Sequence, residues 1–432
     1  MSGFRRLFRN ARLIDPESGR DAAGDLMVED DRIAGLGTDL GKDGLGGDIE
    51  IIDAGGLCLS PGLVDMRVQL REPGAEHIES IESGSQAAAA GGVTTMVALP
   101  NTEPPVDDVS VVEFLARRAR EVRLAKVHTY AAATKGLAGK ELTEMGLLAA
   151  NGALGFTDGV KAIADALVMR RVLAYARTFE QLVIQHPEEP SLGGAGEVNE
   201  GEIATRLGLA GISPAAEVIM VERDLRLVAI TGARYHAAHL STADAIDAIR
   251  RAKADGLPVT CDTAPPYFAL NETAIGDYRT FAKLSPPLRS ESDRQAVIAG
   301  LADGTIDAIA SDHAPWDQDS KRLPFSSASY GIVGLETLLP LSLELHHNLH
   351  LKLIDMLRLL TVAPARILGL GVGRLAPGAP ADLVIFDPDA KGRIQTDAFR
   401  SKSKNAPFDG RPYQGRVERT IVDGRTIFER AP

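Results

Sequence analysis

The chain has 432 residues, which is enough for one large domain with an accessory domain or for two to three domains of ordinary size. Its hydrophobic content of 44% and its charged content of 25% are typical of a globular protein. The formal net charge of −12 argues against nucleic acid or an anionic membrane as a partner.

The cysteines and the apolar runs predict a cytoplasmic protein. Cys58 and Cys261 lie far apart and form no Cys-x-x-Cys motif, so we expect buried thiols rather than a disulfide framework or a thiolate zinc site. The N-terminal segment has no apolar core long enough for a signal peptide. The longest apolar stretches are interrupted by Glu and Pro and fall short of the ~20 residues that a membrane span needs.

Residues 1–58 show short alternating apolar runs separated by turn residues, a pattern typical of β-strands. Residues 59–365 instead alternate short apolar runs with helical patterns, and eight such runs can be counted. Repeated strand–helix units predict a parallel sheet, and eight units predict an α/β fold of the (β/α)8 TIM-barrel type. Active sites of such barrels lie at the carboxyl ends of the strands. Polar residues stand at seven of these ends: Asp65, Asn101, Lys135, Asp158, His186, His239 and Asp312.

Residues 366–432 return to the strand-rich pattern of the first segment, and a Val-Asp-Gly turn between two alternating runs predicts a hairpin. Neither terminal segment has enough strands to be stable alone. We therefore predict that residues 1–58 and 366–432 together form one small composite β-sandwich domain beside the barrel.

Several motifs resemble signatures of the class I dihydroorotases of the amidohydrolase superfamily, and the resemblance covers nearly the whole chain. They are "PGLVDMRVQLREPG" at 61–74, "NTEPPVDD" at 101–108, "HLST", "SPPLR", "SDHAP" and "GIVGLETLLP". The resemblance implies a barrel with two divalent metals, usually zinc, which polarise a cyclic amide carbonyl and lower the pKa of a bridging water.

The same resemblance implies roles for individual residues. Asp312 matches the aspartate that moves the proton between that water and the amide nitrogen. His186 and His239 match two metal ligands. Asp158 lies at the strand of the bridging carboxylate, but it is followed by Gly159 where the family usually has a second aspartate. The register of the bridging ligand therefore stays open.

Substrate-binding positions are also implied. Arg71 matches the arginine that pairs with the substrate carboxylate, for which its planar two-pronged donor is well suited. Asn101 matches the amide that assists it, and Asn271 lies where the family contacts the pyrimidine ring. Around these positions the family's Pro-His-His is replaced by a Pro-Pro-Tyr run ending at Tyr267, and a family histidine is replaced by Trp316.

The main departure from the family is in the first motif, where Arg67 and Gln69 replace a His-x-His metal pair. Arginine has no lone pair to donate and is permanently charged, and glutamine is a weak neutral ligand for zinc. The first metal site is therefore expected to be lost. One hypothesis is that Arg67 replaces part of the metal charge by pairing with Asp312 or Asp158, since these carboxylates are costly to bury unpaired.

Three functions remain open from the sequence. The chain resembles degenerate dihydroorotase-like proteins that lack the His-x-His pair, which implies lost or reduced activity and a structural or regulatory role with aspartate transcarbamoylase. The alternative is an active dihydroorotase, or an amidohydrolase acting on a related ring such as a hydantoin or allantoin, with zinc at one remnant site. The third is a protein that binds a small carbamoyl or pyrimidine ligand. A homo-oligomer is also expected.

Overall fold

The computed structural model describes residues 4–38, 40, 49–194 and 196–431. The strands of the N-terminal segment are β1 (Arg5–Asp15), β2 (Arg20–Glu29), β3 (Arg32–Gly37), β4 (Ile49–Asp53) and β5 (Cys58–Pro61). The strands of the middle segment are β6 (Leu63–Val68), β7 (Val93–Ala98), β8 (Lys126–Ala131), β9 (Ala153–Phe156), β10 (Leu182–Gln185), β11 (Val198–Asn199), β12 (Gly211–Ile212), β13 (Arg234–Ala237), β14 (Val259–Thr263) and β15 (Ala308–Ile309). The C-terminal strands are β16 (Leu383–Arg393), β17 (Pro412–Val422) and β18 (Arg425–Glu429).

Fourteen α-helices are present in the described residues, and all of them follow the N-terminal strands. They are α1 (Ile81–Ala90), α2 (Val109–Val122), α3 (Met145–Ala150), α4 (Ala166–Thr178), α5 (Pro190–Gly193), α6 (Glu202–Leu207), α7 (Ala215–Thr231), α8 (Ala243–Ala254), α9 (Pro265–Ala269), α10 (Glu291–Ala302), α11 (Gln318–Lys321), α12 (Leu338–His347), α13 (Leu353–Leu360) and α14 (Val362–Leu368). No helix in the described part of the chain has the length and hydrophobicity needed to cross a bilayer.

The predicted barrel is confirmed. Eight parallel strands pair in the order β15-β14-β13-β10-β9-β8-β7-β6, and they correspond to the eight apolar runs of the sequence. The first and last strands are joined by a parallel bridge between Val68 and His313 and by a 2.8 Å hydrogen bond from the Gln69 amide to the His313 carbonyl. Both faces of β6 and β7 are buried, as expected for barrel strands covered by helices.

Polar N-caps begin several barrel helices. Ser80, Asp108, Asp165 and Ser290 each accept a hydrogen bond from a backbone N–H in the first turn of α1, α2, α4 and α10. Such caps satisfy amide groups that have no partner within the helix, which defines where each helix begins after its strand.

The two chain ends form one accessory β-domain, as predicted. It is a continuous sheet in the order β18-β17-β16-β5-β1-β2-β3, with β4 added beside β1. Strand β5 joins the two ends, because it runs parallel to β1 and antiparallel to β16. The boundaries at residues 58, 59, 365 and 366 stay a prediction, and residues 1–3, 39, 41–48 and 432 of the predicted domain lie outside the described residues.

The accessory sheet packs closely against the barrel. Gly92 has a φ of 82°, and a Cβ at this position would lie 2.9 Å from the Val384 side chain and 3.2 Å from that of Val417. Glycine is therefore required by both the backbone conformation and the close approach. On the other side of β16, Leu383 is fully buried in the core of the accessory sheet.

Replacing Leu383 with alanine tests the contribution of this core. Leu383→Ala should lower the free energy of unfolding by about 2–5 kcal/mol, because it removes buried methyl groups and leaves a cavity. The matched control is Leu147→Ala on α3, where the side chain is 57% exposed and the expected change is within about 0.5 kcal/mol. Urea unfolding followed by circular dichroism measures both. Equal losses in the two variants would contradict the assigned core.

Candidate functional site

The carboxyl face of the barrel is lined by residues at which the chain turns sharply after a strand. Arg71, His239 and Asp312 follow β6, β13 and β15 and have positive φ values of 58°, 42° and 50°. Such values are uncommon for residues other than glycine and are concentrated at functional sites. The turns bring side chains from distant parts of the sequence together at one end of the barrel.

A buried ion pair occupies the centre of this face. The Nε of Arg67 donates a hydrogen bond to Oδ1 of Asp312 at 2.9 Å, with side-chain exposures of 2% and 9%. The Nη2 of Arg67 donates to the Gly159 carbonyl at 3.4 Å. The hypothesis that Arg67 pairs with one of the two candidate aspartates is thus confirmed for Asp312, while its second contact is to the backbone beside Asp158.

A chain of hydrogen bonds continues from this ion pair through both candidate histidines. Oδ2 of Asp312 lies 3.2 Å from Nδ1 of His239. Nε2 of His239 lies 2.8 Å from Nδ1 of His186, and Nε2 of His186 lies 3.4 Å from the Ser285 hydroxyl. Each histidine therefore uses its ring nitrogens for contacts with protein groups, and both carboxylate oxygens of Asp312 are engaged.

Burial and neighbouring charges determine the protonation of this chain. Burial lowers the pKa of His186 well below its usual range, and the nearby charges of His239 and Arg67 act in the same direction. Burial alone would raise the pKa of Asp312, but the charge and hydrogen bonds of His239 and Arg67 hold it below its usual range. The network is therefore best described as an aspartate carboxylate held by a guanidinium, with His186 neutral.

Asp158 does not join the two histidines. Its Oδ1 accepts a hydrogen bond from the Thr134 amide at 2.9 Å, and its Oδ2 accepts one from the Thr134 hydroxyl at 2.5 Å. Within the described part of the chain, no group of three or more His, Cys, Asp or Glu side chains is arranged to hold a metal ion. The predicted ligands Asp158, His186 and His239 thus do not converge on one point.

The residues at the barrel mouth do not fit a divalent metal centre. The Arg67 guanidinium is a permanent cation without a lone pair, and its ion pair occupies the carboxylate of Asp312. The carbonyl oxygen of Gln69 accepts a hydrogen bond from the Asn101 amide at 3.0 Å, so this donor is also engaged. The chemistry of the donor set therefore disagrees with the two-metal site that the sequence motifs imply.

Arg71 has a different environment from Arg67. Its Nε donates to the Pro315 carbonyl at 3.2 Å, and its guanidinium lies over the Trp316 ring at 4.3 Å. No carboxylate of the described residues lies within ion-pairing distance of it, and burial lowers its pKa to about 10. A partly buried arginine without an acidic partner is available to a carboxylate ligand.

Asn271 makes only local hydrogen bonds among the described residues. Its amide donates to Glu291 at 2.7 Å, and its Oδ1 accepts from the backbone and hydroxyl of Thr273. The structure therefore shows this side chain as the cap of a short 3-10 turn. A contact with a pyrimidine ring stays a prediction.

Three further residues support the site: Asp65, which the sequence placed at a strand end without a role, and Asp262 and Ser285, which it did not single out. Asp65 accepts hydrogen bonds from the backbone amides of Arg67 and Ser311, and its burial raises its pKa to about 6. Asp262 accepts a hydrogen bond from the His239 backbone amide. Ser285 lies at the end of the histidine chain. Asp65 and Ser285 stand in quoted motifs, whereas no sequence signal indicated Asp262.

Comparison with known proteins identifies the family. Residues 56–245 match the Dihydro-orotase-like family model, and residues 345–428 match that of the Amidohydrolase family. The chain is 48% identical to "Dihydroorotase" of Anaplasma phagocytophilum (strain HZ), over 97% of this chain and 94% of the relative. It is 46% identical to "Dihydroorotase" of Wolbachia sp. subsp. Drosophila simulans (strain wRi), over 99% of this chain and 96% of the relative. The chain belongs to the dihydroorotase family.

The fold of this dihydroorotase-family protein is also similar to solved structures. L-Hydantoinase (dihydropyrimidinase) from Arthrobacter aurescens matches with a TM-score of 0.88 and 25% identity, over 99% of this chain and 96% of that chain. Dihydropyrimidinase from Brevibacillus agri NCHU1002 matches with a TM-score of 0.86 and 22% identity, over 99% and 95% of the two chains. These likenesses agree with the barrel and its accessory sheet.

The buried ion pair can be tested by removing its cation. Arg67→Met should lower the free energy of unfolding by about 3–5 kcal/mol, because it leaves the Asp312 carboxylate buried without its main partner. Arg67→Met combined with Asp312→Asn should recover part of this loss, since no uncompensated charge remains. Chemical denaturation of the two variants and the unmodified protein measures the coupling.

The matched control for this comparison is Arg12→Met. Arg12 also pairs with an aspartate, Asp21, but the pair is solvent-exposed, with 44% and 31% side-chain exposure. We expect a loss of only about 0–1 kcal/mol there. If Arg67→Met costs no more than Arg12→Met, the ion pair does not hold the site together.

Proposed function

We propose that this dihydroorotase-family protein binds the small carboxylates of the dihydroorotase reaction, dihydroorotate and N-carbamoyl-aspartate, and that its own hydrolysis and cyclisation activity is lost or much reduced. The observation that supports this is the Arg67–Asp312 ion pair. Asp312 is the residue expected to move a proton, and both of its carboxylate oxygens are held by Arg67 and His239. Because Asp312 is held in this way, it would not carry a proton, and activity would be lost.

Electrostatics also opposes a metal at this position. Two like unit charges 4 Å apart repel by about 4 kcal/mol at an effective dielectric constant of 20, and a dication beside a guanidinium doubles that repulsion. A metal would therefore require Arg67 to leave Asp312. That movement would separate the charges of Arg67 and Asp312, which are now buried together, and would leave each exposed or unpaired.

Ligand recognition is supported by Arg71 rather than by Arg67. The stacked and unpaired guanidinium of Arg71 offers a two-pronged donor for one carboxylate. Asn101, whose side-chain amide donates a hydrogen bond to Gln69, follows the neighbouring strand and would assist Arg71. The protein would then still bind a carboxylate ligand although metal-dependent catalysis is lost.

A second candidate is an active dihydroorotase, or a related cyclic amidohydrolase, that uses zinc at a reduced site. The curated relatives at 46–48% identity are named dihydroorotase, and these names favour the second candidate over a loss of activity. This candidate requires His186, His239 and Asp158 to rearrange around one ion, with Asp158 released from Thr134.

We also propose a cytoplasmic homo-oligomer that associates with aspartate transcarbamoylase. The partnership is supported by the resemblance of the Arg67-x-Gln69 strand to degenerate dihydroorotase-like proteins, and the cytoplasmic location by the two free, buried cysteines. Size-exclusion chromatography with light scattering, on the chain alone and mixed with aspartate transcarbamoylase, tests both assemblies. Separate elution of the two proteins would contradict the partnership.

Metal content and turnover separate the two candidates. After dialysis against zinc and removal of free metal, the purified chain should retain far less than one zinc per chain and should convert neither dihydroorotate nor N-carbamoyl-aspartate. The dihydroorotase of Anaplasma phagocytophilum serves as the control in the same assay. Stoichiometric zinc together with turnover by this chain alone would establish the second candidate instead.

Ligand binding has its own test, because the chain contains one tryptophan and it stacks on Arg71. Titration with N-carbamoyl-aspartate in the presence of EDTA should change Trp316 fluorescence saturably. Arg71→Met should weaken binding, measured by calorimetry, at least tenfold, as expected for the loss of a charge-assisted hydrogen-bonding group. Arg12→Met should bind as the unmodified protein does. Equal affinity in the Arg71 variant would contradict this role.

A further inference from the structure

Two buried lysines hold the loop at residues 325–331, which contacts Trp316 through the Tyr330 carbonyl, and we call Lys283 and Lys321 the lysine core. Lys321 is fully buried, and its Nζ donates to the carbonyls of Ser329 at 2.7 Å, Gly331 at 3.1 Å and Lys283 at 3.4 Å. Three acceptors match the three protons of an ammonium group.

The second lysine braces the same loop from the other side. The Nζ of Lys283, which is 1% exposed, donates to the carbonyls of Phe325 at 2.8 Å and Ser326 at 3.0 Å. It also lies 4.4 Å from the centre of the Tyr330 ring, a cation–π distance. The lysine core therefore holds residues 325–331 through backbone carbonyls and through the rings of Tyr330 and Phe325, the latter 5.4 Å from the Lys283 Nζ.

The composition of this core is unusual for a structural feature. Neither lysine forms a salt bridge with a carboxylate of the described residues, and burial lowers the pKa of both side chains, that of Lys321 to about 7. Burying an ammonium without an acidic partner is costly, and an apolar side chain of similar length would fill the space without that cost. The two side chains instead donate hydrogen bonds to five backbone carbonyls.

Contacts from the loop at residues 325–331 extend to Arg71, the proposed hydrogen-bond donor to a ligand carboxylate. The carbonyl of Tyr330, between two residues held by Lys321, accepts a 2.6 Å hydrogen bond from the Trp316 indole N–H. The indole ring in turn stacks on the Arg71 guanidinium at 4.3 Å. The Nε of Arg71 donates a hydrogen bond to the Pro315 carbonyl. The contacts form a continuous path from the buried ammonium to the guanidinium.

Stacking and the Nε hydrogen bond together fix the orientation of Arg71. The ring fixes the plane of the guanidinium, and the Pro315 carbonyl fixes its rotation within that plane. Nη1 and Nη2 have no hydrogen-bond partner among the described residues, so the two-pronged end stays available. A donor whose orientation is fixed before binding loses less conformational entropy on binding a ligand.

We propose that the lysine core is a positioning device that holds Trp316, and through it Arg71, in the orientation that binds a small carboxylate without a metal. Lys283 and Lys321 are positioning residues, since neither touches the ligand site. The proposal rests on the proposed function in one respect, that Arg71 receives the carboxylate.

Lys321→Met tests the proposal, with Lys253→Met as its matched control. Lys253 also donates to a backbone carbonyl, that of Thr305, but it lies on α8 and pairs with Asp307. In EDTA, Lys321→Met should bind N-carbamoyl-aspartate at least tenfold more weakly by calorimetry. It should also change the ligand-free emission spectrum of Trp316, whereas Lys253→Met should change neither.

Unchanged affinity and unchanged emission in a folded Lys321→Met protein would overturn the proposal. If the unmodified protein does not bind the ligand, the proposed function fails, and an unchanged ligand-free emission spectrum still overturns the positioning role by itself. If Lys321→Met does not fold, Lys283→Met provides the same two measurements, because it removes only the contacts to Phe325, Ser326 and the Tyr330 ring. Wild-type affinity and emission in that variant would also overturn the proposal.

Discussion

The ion pair between Arg67 and Asp312 is the interaction on which the barrel mouth depends. Both charges are almost inaccessible to water, so each is stabilised mainly by the other and by neighbouring hydrogen bonds. Because Asp312 is held on one side by Arg67, its other oxygen contacts His239, and His239 in turn contacts His186. Arg67 of β6 is thereby linked through Asp312 to both candidate histidine ligands, which follow β13 and β10.

Two arginines four positions apart on one chain segment have opposite surroundings. Arg67 is buried and neutralised by a carboxylate of the protein, whereas Arg71 is stacked on an indole and has no acidic partner among the described residues. Removing one partner of a buried ion pair is destabilising, whereas a guanidinium without an acidic partner attracts an anion. The proposed function thus assigns structural support to Arg67 and ligand binding to Arg71.

The sequence predicted the fold well because its signals are periodic and repeated eight times. It also predicted that Arg67 pairs with Asp312 or Asp158, because buried carboxylates need a partner, and the structure shows the pair with Asp312. It did not predict that Asp158 is turned toward Thr134, because strand registers decide that contact. Nor did it indicate Lys321, since its partners are backbone carbonyls that no residue type reveals.

The most direct test of the central claim is a crystal structure of the protein grown with excess zinc, with anomalous data collected at the zinc absorption edge. If the ion pair excludes a metal, no zinc will lie at the barrel mouth and the Arg67 Nε will remain hydrogen-bonded to Asp312. An anomalous peak between His186 and His239, with the Arg67 guanidinium displaced from Asp312, would contradict it.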